Sequence, residues 1–207
     1  NANWAEKPRI TDRLKHEADG LGYMKEGFSQ IFMISSTGGK PIQVTTEKFN
    51  HYSFDWMSGS DGFVFSSNYT EDWEYDFRNS EIYSISVNGS NLQQLTDRNG
   101  PDMGASVSPD GKSIAYLGYE DKVQTYQINN LTIMDIDGSN KRTIDIELDR
   151  NIESLKWSAD GKNLYFMYDN YGNTKIATTN LTGRVRKLID DVGGTSIGRP
   201  YGGGSFS

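Results

Sequence analysis

The sequence predicts an all-β fold built from one repeated antiparallel unit, and three observations carry that prediction. First, a phrase returns at a fixed interval: Phe54-Asp-Trp-Met-Ser-Gly-Ser-Asp-Gly62, Ala105-Ser-Val-Ser-Pro-Asp-Gly-Lys112 and Leu155-Lys-Trp-Ser-Ala-Asp-Gly-Lys162. Its Asp-Gly pairs, at Asp61, Asp110 and Asp160, recur about every 50 residues, the period of propeller blades and solenoid units. Second, another turn signal runs in step, at Gly38-Gly39, Asn88-Gly89, Asp137-Gly138 and Thr182-Gly183. Third, the strands after the Asp-Gly turns are apolar on both faces (Ile114, Ala115, Tyr116, Leu117; Leu164, Tyr165, Phe166, Met167). A sheet with one wet face would alternate, so these sheets stack face to face, as propeller blades do.

The elements follow in order. Residues 30–34 and 42–44 read as the second half of an early blade. Residues 63–65, 81–87 and 92–95 are strands of the next. The third unit is the clearest. Residues 105–107 form a short strand and Ser108-Pro109-Asp110-Gly111 a tight turn. In that turn proline pre-sets φ, and glycine accepts positive φ where the chain re-enters the sheet. Residues 113–117, 130–136 and 141–144 complete four strands. The last whole unit places strands at 164–167, 175–178 and 185–188. The Asn-Gly and Asp-Gly pairs of the inner hairpins are the residues type I′ turns require, so that turn type is expected. Helix signals are nearly absent: Glu47-Lys48 and residues 72–78 make a turn at most.

The expected architecture is a partial β-propeller of three whole four-stranded blades and two partial ones. The boundaries are 1–46 (partial blade and lead-in), 47–96, 97–147, 148–190 and 191–207 (start of the next blade). Strand order puts the long connections (67–80, 118–129, 168–174) and the inter-blade links (97–104, 145–153, 190–199) at one end of every blade. Contacts with ligands or partners are expected there. An open arc exposes the apolar faces of its end blades, so self-association through open blade edges is expected.

Bulk properties narrow the classes. The 207 residues are 35% hydrophobic and 12% aromatic, with twelve Tyr and nine Phe; aromatic-rich composition suits sheets. A net charge of -7 repels phosphate backbones, so no nucleic-acid partner is expected. No apolar run reaches the roughly 20 residues that span a bilayer, so no membrane partner is expected. There is no cysteine, hence no disulfide and no thiol chemistry. Asn68, Asn88, Asn130 and Asn180 each open an Asn-x-Ser/Thr triplet, a glycan-acceptor pattern that chance and turn chemistry explain better. The start, Asn1-Ala2-Asn3-Trp4-Ala5, is no signal peptide, and the chain reads as an excised piece of a longer protein. The sequence leaves the compartment open.

The Ser-Pro-Asp-Gly-Lys…Ile-Ala-Tyr repeat (108–116) resembles the propeller repeat shared by TolB and the prolyl oligopeptidase family. Residues 8–23 and 30–45 resemble the mid-propeller of acylaminoacyl-peptidase-like members. Residues 116–126 and 193–204 are similar to bacterial members related to dipeptidyl aminopeptidases and acylaminoacyl-peptidases. The resemblance implies a non-catalytic propeller that precedes a C-terminal α/β-hydrolase domain, covers its active site and admits short peptides. That hydrolase domain, absent from this chain, would be its partner, in a bacterial cytoplasm or periplasm. A stand-alone TolB-like protein-binding propeller is the alternative, and a propeller enzyme in its own right a third.

The residues argue against catalysis in the chain itself. The strings nearest a nucleophile elbow, at 27–31 and 203–207, lack the final glycine and a following helix. The histidines are His16 and His51, too early for the Ser, Asp, His order of an α/β-hydrolase triad, and both read as surface or structural residues. Residues 135–140 carry part of a calcium-loop pattern without its terminal Glu; a hairpin turn explains them. Two His and no Cys make a zinc site improbable, so no metal and no cofactor is expected. Residues 69–78 interleave acidic and aromatic side chains on a long loop. Glu71, Asp72 and Glu74 are candidates to pair with a peptide's free amino group, and Trp73 and Tyr75 to pack its side chains. The competing reading is a solvated loop whose aromatics anchor it to the blade. Arg199 and Tyr201 are weaker candidates at the same end.

Overall fold

The computed structural model describes residues 8–193 and Phe206. Arg199 and Tyr201 lie outside the described residues, as does most of the partial blade expected at 191–207. Every element is a strand, and no helix occurs among the described residues.

Two short hairpins come first: β1 (Glu17–Ala18) with β2 (Gly22–Tyr23), and β3 (Phe32–Met33) with β4 (Ile42–Gln43). Three four-stranded antiparallel sheets follow, each ordered as in sequence. The first holds β5 (His51–Trp56), β6 (Gly62–Ser67), β7 (Glu81–Ser86) and β8 (Gln93–Gln94). The second holds β9 (Asp102–Val107), β10 (Ser113–Gly118), β11 (Asn130–Asp135) and β12 (Arg142–Ile144). The third holds β13 (Ile152–Trp157), β14 (Asn163–Asn170), β15 (Asn173–Asn180) and β16 (Val185–Ile189). These are propeller blades, as the repeat predicts.

Face-to-face stacking is what the doubly apolar second strands require. All six residues of β6 are buried, and β10 is buried from Ile114 to Gly118. One core lies between the β3–β4 hairpin and the first sheet, around Phe63, Phe65 and Ile85. The next, around Val64, Ile82, Ile114 and Met134, joins the first sheet to the second. The last, around Leu117, Leu131, Leu164 and Phe166, joins the second to the third. Thus the two faces of one strand serve two cores: Val64 points one way, Phe63 and Phe65 the other.

The first strands of successive sheets lie against one another and are hydrogen-bonded across. Asp55 accepts from the Val107 amide at 2.9 Å, and the Trp157 indole donates to the Ser106 carbonyl at 3.0 Å. Each first strand carries a bulge at the same place, where two residues face one on the neighbour. Its left-handed residue is Ser53 in β5, Gly104 in β9 and Ser154 in β13. Only the glycine is a sequence cue, and the bulges are not visible in the repeat phrase.

The turns correct the sequence reading in three places. At Ser108 and Ser158 the wiring is duplicated: each hydroxyl donates to the Asp two residues on (Asp110, 2.7 Å; Asp160, 2.6 Å). Each of those carboxylates also accepts the amide of the following Lys at 3.1 Å. The matching turn of the first sheet is not at Asp61-Gly62. It spans 57–60, closed by the Ser60 amide to the Met57 carbonyl, with Ser60 at φ 57° where the others have glycine. Gly62 already belongs to β6, because the Asp-Gly pair there sits two residues late in the repeat.

The inner hairpins are not type I′. Gly89, Gly138 and Gly183 have positive φ, but the two residues before each do not. The glycine amide closes onto the carbonyl three back, which is a type I turn followed by a left-handed glycine. Type I′ geometry appears instead at Tyr171-Gly172, both with positive φ. That two-residue turn lets β14 and β15 run eight residues each, so the long connection expected at 168–174 is a tight hairpin. Of the Asn-x-Ser/Thr triplets, the side-chain oxygens of Asn68, Asn88 and Asn180 accept from both the hydroxyl and the amide two residues on. These are Asx turns.

Candidate functional site

The loop between β6 and β7 and the link between β8 and β9 meet at one end of the blades. Ser80 and Pro101 form a parallel bridge there, and the Asp121 amide of the β10–β11 loop bonds the Asn99 carbonyl at 2.8 Å. Within the first of these loops, Asn68 donates to the Asp76 carbonyl at 2.8 Å, and the amides of Tyr75 and Asp76 close onto the Asp72 carbonyl. A short sequence of turns therefore presents residues 71–77 as a compact projection.

Tyr69 anchors it. Its ring lies 4.9 Å from Phe49 and 4.5 Å from Tyr83, centroid to centroid. Its hydroxyl is 2.7 Å from His51 Nε2. His51 Nδ1 faces the Ser29 carbonyl at 3.0 Å. A carbonyl only accepts, so Nδ1 carries the proton and Nε2 of the neutral ring accepts from Tyr69. Burial lowers the His51 pKa below its ordinary value, opposed by the Ser29 carbonyl and by Glu47. Burial likewise pushes the Tyr69 hydroxyl up. His51 is a buried structural residue, and His16 is exposed.

The candidate side chains divide by environment. Glu71 and Asp72 are exposed, and neither is in an ion pair among the described residues. Trp73 is half-buried, its ring edge-on to Phe28 at 6.0 Å. Glu74 is held by Arg13, whose Nε lies 2.8 Å from Glu74 Oε1. The same guanidinium sits 4.9 Å from the Trp73 ring centre and 5.1 Å from that of Phe28. Tyr75 and Phe77 are 76% and 74% exposed. Arg13 thus ties the lead-in to the projection by an ion pair and two cation–π contacts. Nothing local marks Arg13 in the sequence, since its partners lie up to 61 residues away.

Between the lead-in and the projection opens a cleft of about 520 Å³, lined by Arg13, His16, Tyr23, Ser29, Tyr52 and Trp73 among others. Its mix of aromatic faces and charged heads suits an amphipathic ligand of peptide size. Among the described residues no cluster of three His, Cys, Asp or Glu is arranged to hold a metal ion, and no helix is long and apolar enough to cross a membrane.

A second polar group went unnoticed in the sequence. Glu81 and Asp102 are both buried, with Thr96 and Arg98 between them. The Thr96 hydroxyl donates to Glu81 at 2.5 Å, and Arg98 pairs with Asp102. Burial, with Asp102 and Asp97 adding to it against the Thr96 hydroxyl and Arg98 amide, pushes Glu81 up to about 7.

Comparison with known proteins gives the following. The family described as Dipeptidyl peptidase IV (DPP IV) N-terminal region matches residues 1–122. Dipeptidyl-peptidase 5 of Porphyromonas gingivalis is 24% identical over 154 residues, covering 72% of this chain and 22% of that protein. The chain therefore spans about a fifth of the length of that relative. TolB of Acinetobacter baumannii superposes with a TM-score of 0.60 at 21% identity, over 77% of this chain and 37% of that one. A puromycin-hydrolyzing peptidase of Mycobacterium tuberculosis gives 0.58 at 13% identity, over 81% and 28%. At these identities the two structures share the fold with this chain.

Proposed function

The chain belongs to the family of dipeptidyl peptidase IV N-terminal regions, and from that membership we propose that it is the propeller portion of a serine peptidase, seated over a separate hydrolase domain and admitting short peptides. The observation that carries the reading is the projection at 71–77 with its adjoining cleft, at the end of the blades where loops and links gather. Glu71 and Asp72 are the exposed carboxylates and meet the peptide's free amino group. Trp73 lines the cleft and packs the peptide's side chains, with Tyr75 beside it. Glu74, held by Arg13, positions the projection rather than touching the peptide.

The test is kinetic and uses the full-length protein. Replacing Glu71→Gln and Asp72→Asn together is expected to raise KM for peptides with a free amino terminus about tenfold, the scale of one charge-assisted hydrogen bond. The kcat should stay nearly constant, and KM for N-acetylated peptides should not move. An equal change for both peptide classes, or none for either, overturns the assignment.

A further inference from the structure

The β1–β2 hairpin packs into none of the three cores, and no residue from 8 to 28 belongs to one. Its turn is set by Asp19-Gly20, with Gly20 and Gly22 at φ of 76° and 68°. The Leu21 amide closes onto the Ala18 carbonyl at 3.1 Å, and the Met24 amide onto that of His16 at 2.8 Å. The hairpin stands at the cleft and presents Tyr23, whose ring is 54% exposed and stacks with that of His16 at 6.5 Å between centroids. Tyr23 in turn supports Arg9. The guanidinium carbon lies 4.0 Å from the centre of the tyrosine ring, a cation–π contact.

Two arginines line this cleft, and they differ in one respect. Arg13 lies against the rings of Phe28 and Trp73, and its Nε donates to Glu74 at 2.8 Å. Arg9 has the same kind of aromatic support, but it makes no hydrogen bond and no ion pair among the described residues. Its five N–H donors face the cleft without an acceptor. The other charges of the lining balance in number: Lys15 and Lys25 against Asp12 and Glu26, and Arg13 against its partner Glu74. Arg9 is left as the surplus positive charge, a local inversion in a chain of net charge -7.

We propose that Arg9, positioned by Tyr23, is the carboxylate-binding residue of the cleft, and that the cleft selects short peptides presenting a carboxylate, at the C-terminus or on an acidic side chain. A planar guanidinium offers two parallel N–H donors to the two oxygens of a carboxylate. Arg13 and Glu74 show that pairing already made in the same cleft. The cleft volume of about 520 Å³ is within the range of small-ligand sites. With Glu71 and Asp72 meeting the amino group, both charged ends of a short peptide find the opposite charge. The peptide part of the proposal rests on the peptidase reading; the carboxylate part does not.

The probes are 3-phenylpropanoate and its amide, which share a shape, differ in charge and are not peptides. Ligand-observed NMR on the full-length protein should give a Kd about tenfold lower for the carboxylate, the scale of a charge-assisted hydrogen bond. Arg9→Ala should bring the two within about twofold of each other, and Arg9→Lys should recover part of the difference. Tyr23→Leu keeps the charge, removes its support and should also narrow the ratio. A merely structural role for Arg9 would move both probes together. The source of the carboxylate is read from KM, with Ala-Ala-Phe against its C-terminal amide and Ala-Glu-Phe amide against Ala-Gln-Phe amide. The pair whose KM ratio collapses in Arg9→Ala identifies it. Equal affinity for the two probes in the parent, or a preference that survives Arg9→Ala, overturns the assignment even where peptides are cleaved. Peptide turnover with neither pair responding to Arg9→Ala overturns the selection of substrates by carboxylate. Arg9-dependent binding of the probe without any peptide turnover upholds the carboxylate site and overturns the peptidase reading instead.

Discussion

Single residues set the local limits of this fold, and His51 is one whose chemistry can be titrated. It is buried neutral between the Ser29 carbonyl and the Tyr69 hydroxyl. Its folded pKa lies below the ordinary value of 6.5, chiefly through burial. Its contribution to stability is present above 6.5 and is lost as the pH falls through the depressed value. Urea midpoints between pH 7.5 and 5 should fall more steeply for the parent chain than for His51→Gln, which keeps a donor and an acceptor without a basic group. Equal slopes would remove His51 from the account. Glycines offer a second test at this scale. Gly111 and Gly161 have φ of +70° and +68° in equivalent turns. A Cβ on Gly161 meets only Pro109 Cδ at 3.9 Å, whereas one on Gly111 runs into the Ser58 side chain of the preceding sheet. Gly161→Ala should cost about 1 kcal/mol for its backbone conformation. Gly111→Ala should cost about 1–3 kcal/mol more for the overlap. Denaturation of the two variants side by side separates backbone strain from blade packing.

Among the elements, the loop after β6 is held by a contact from outside its own sheet. Arg13 reaches it from the lead-in and lies between Phe28 and Trp73 while pairing with Glu74. Arg13→Ala removes all three contacts. It should leave global unfolding nearly unchanged, since a part-exposed pair contributes about 1 kcal/mol or less, yet redshift Trp73 emission and raise proteolysis within 68–80. Arg13→Lys should restore the charge but only part of the stacking, because the planar guanidinium covers two rings. Unchanged proteolysis in Arg13→Ala would mean that Asn68 and Tyr69 hold the loop unaided. The turns carry a related lesson. Asp-Gly and Asn-Gly dipeptides identify most of the reversals, Asp61-Gly62 excepted, but the type of the inner turns is set by which residue takes the left-handed conformation, the glycine alone.

For the whole molecule, what matters is that the sheets stack in series and that, among the described residues, the series begins with a two-stranded hairpin. One edge of β3 pairs with no strand among the described residues, and Phe32, Ile34 and Ile42 around it are exposed. Phe54 and Trp56 on β5 are also exposed, leaning on Phe63. An apolar edge of this kind recruits another strand or another molecule. The 207-residue chain alone should scatter light above its 23.2 kDa monomer mass or bind a hydrophobic dye. Serine at Phe32 and Phe54 together should reduce both. A monomer that binds no dye would show that the edge is covered.

The sequence by itself determined the blade. A period of about 50 residues, paired turn signals and second strands apolar on both faces leave stacked four-stranded sheets as the arrangement that buries those strands. It also marked the 69–78 loop, because alternating acidic and aromatic residues stand out locally. Tertiary structure decided the rest. The bulges at Ser53 and Ser154 have no residue signature, since serine adopts a left-handed conformation there under the constraint of its neighbours. Arg13 meets Glu74 across 61 positions, and Glu81 meets Thr96 across 15. Sequence periodicity reports on neighbours one strand away. It is silent on which ionisable groups the stacking of sheets drives together and strips of water, and those are the groups whose chemistry changes.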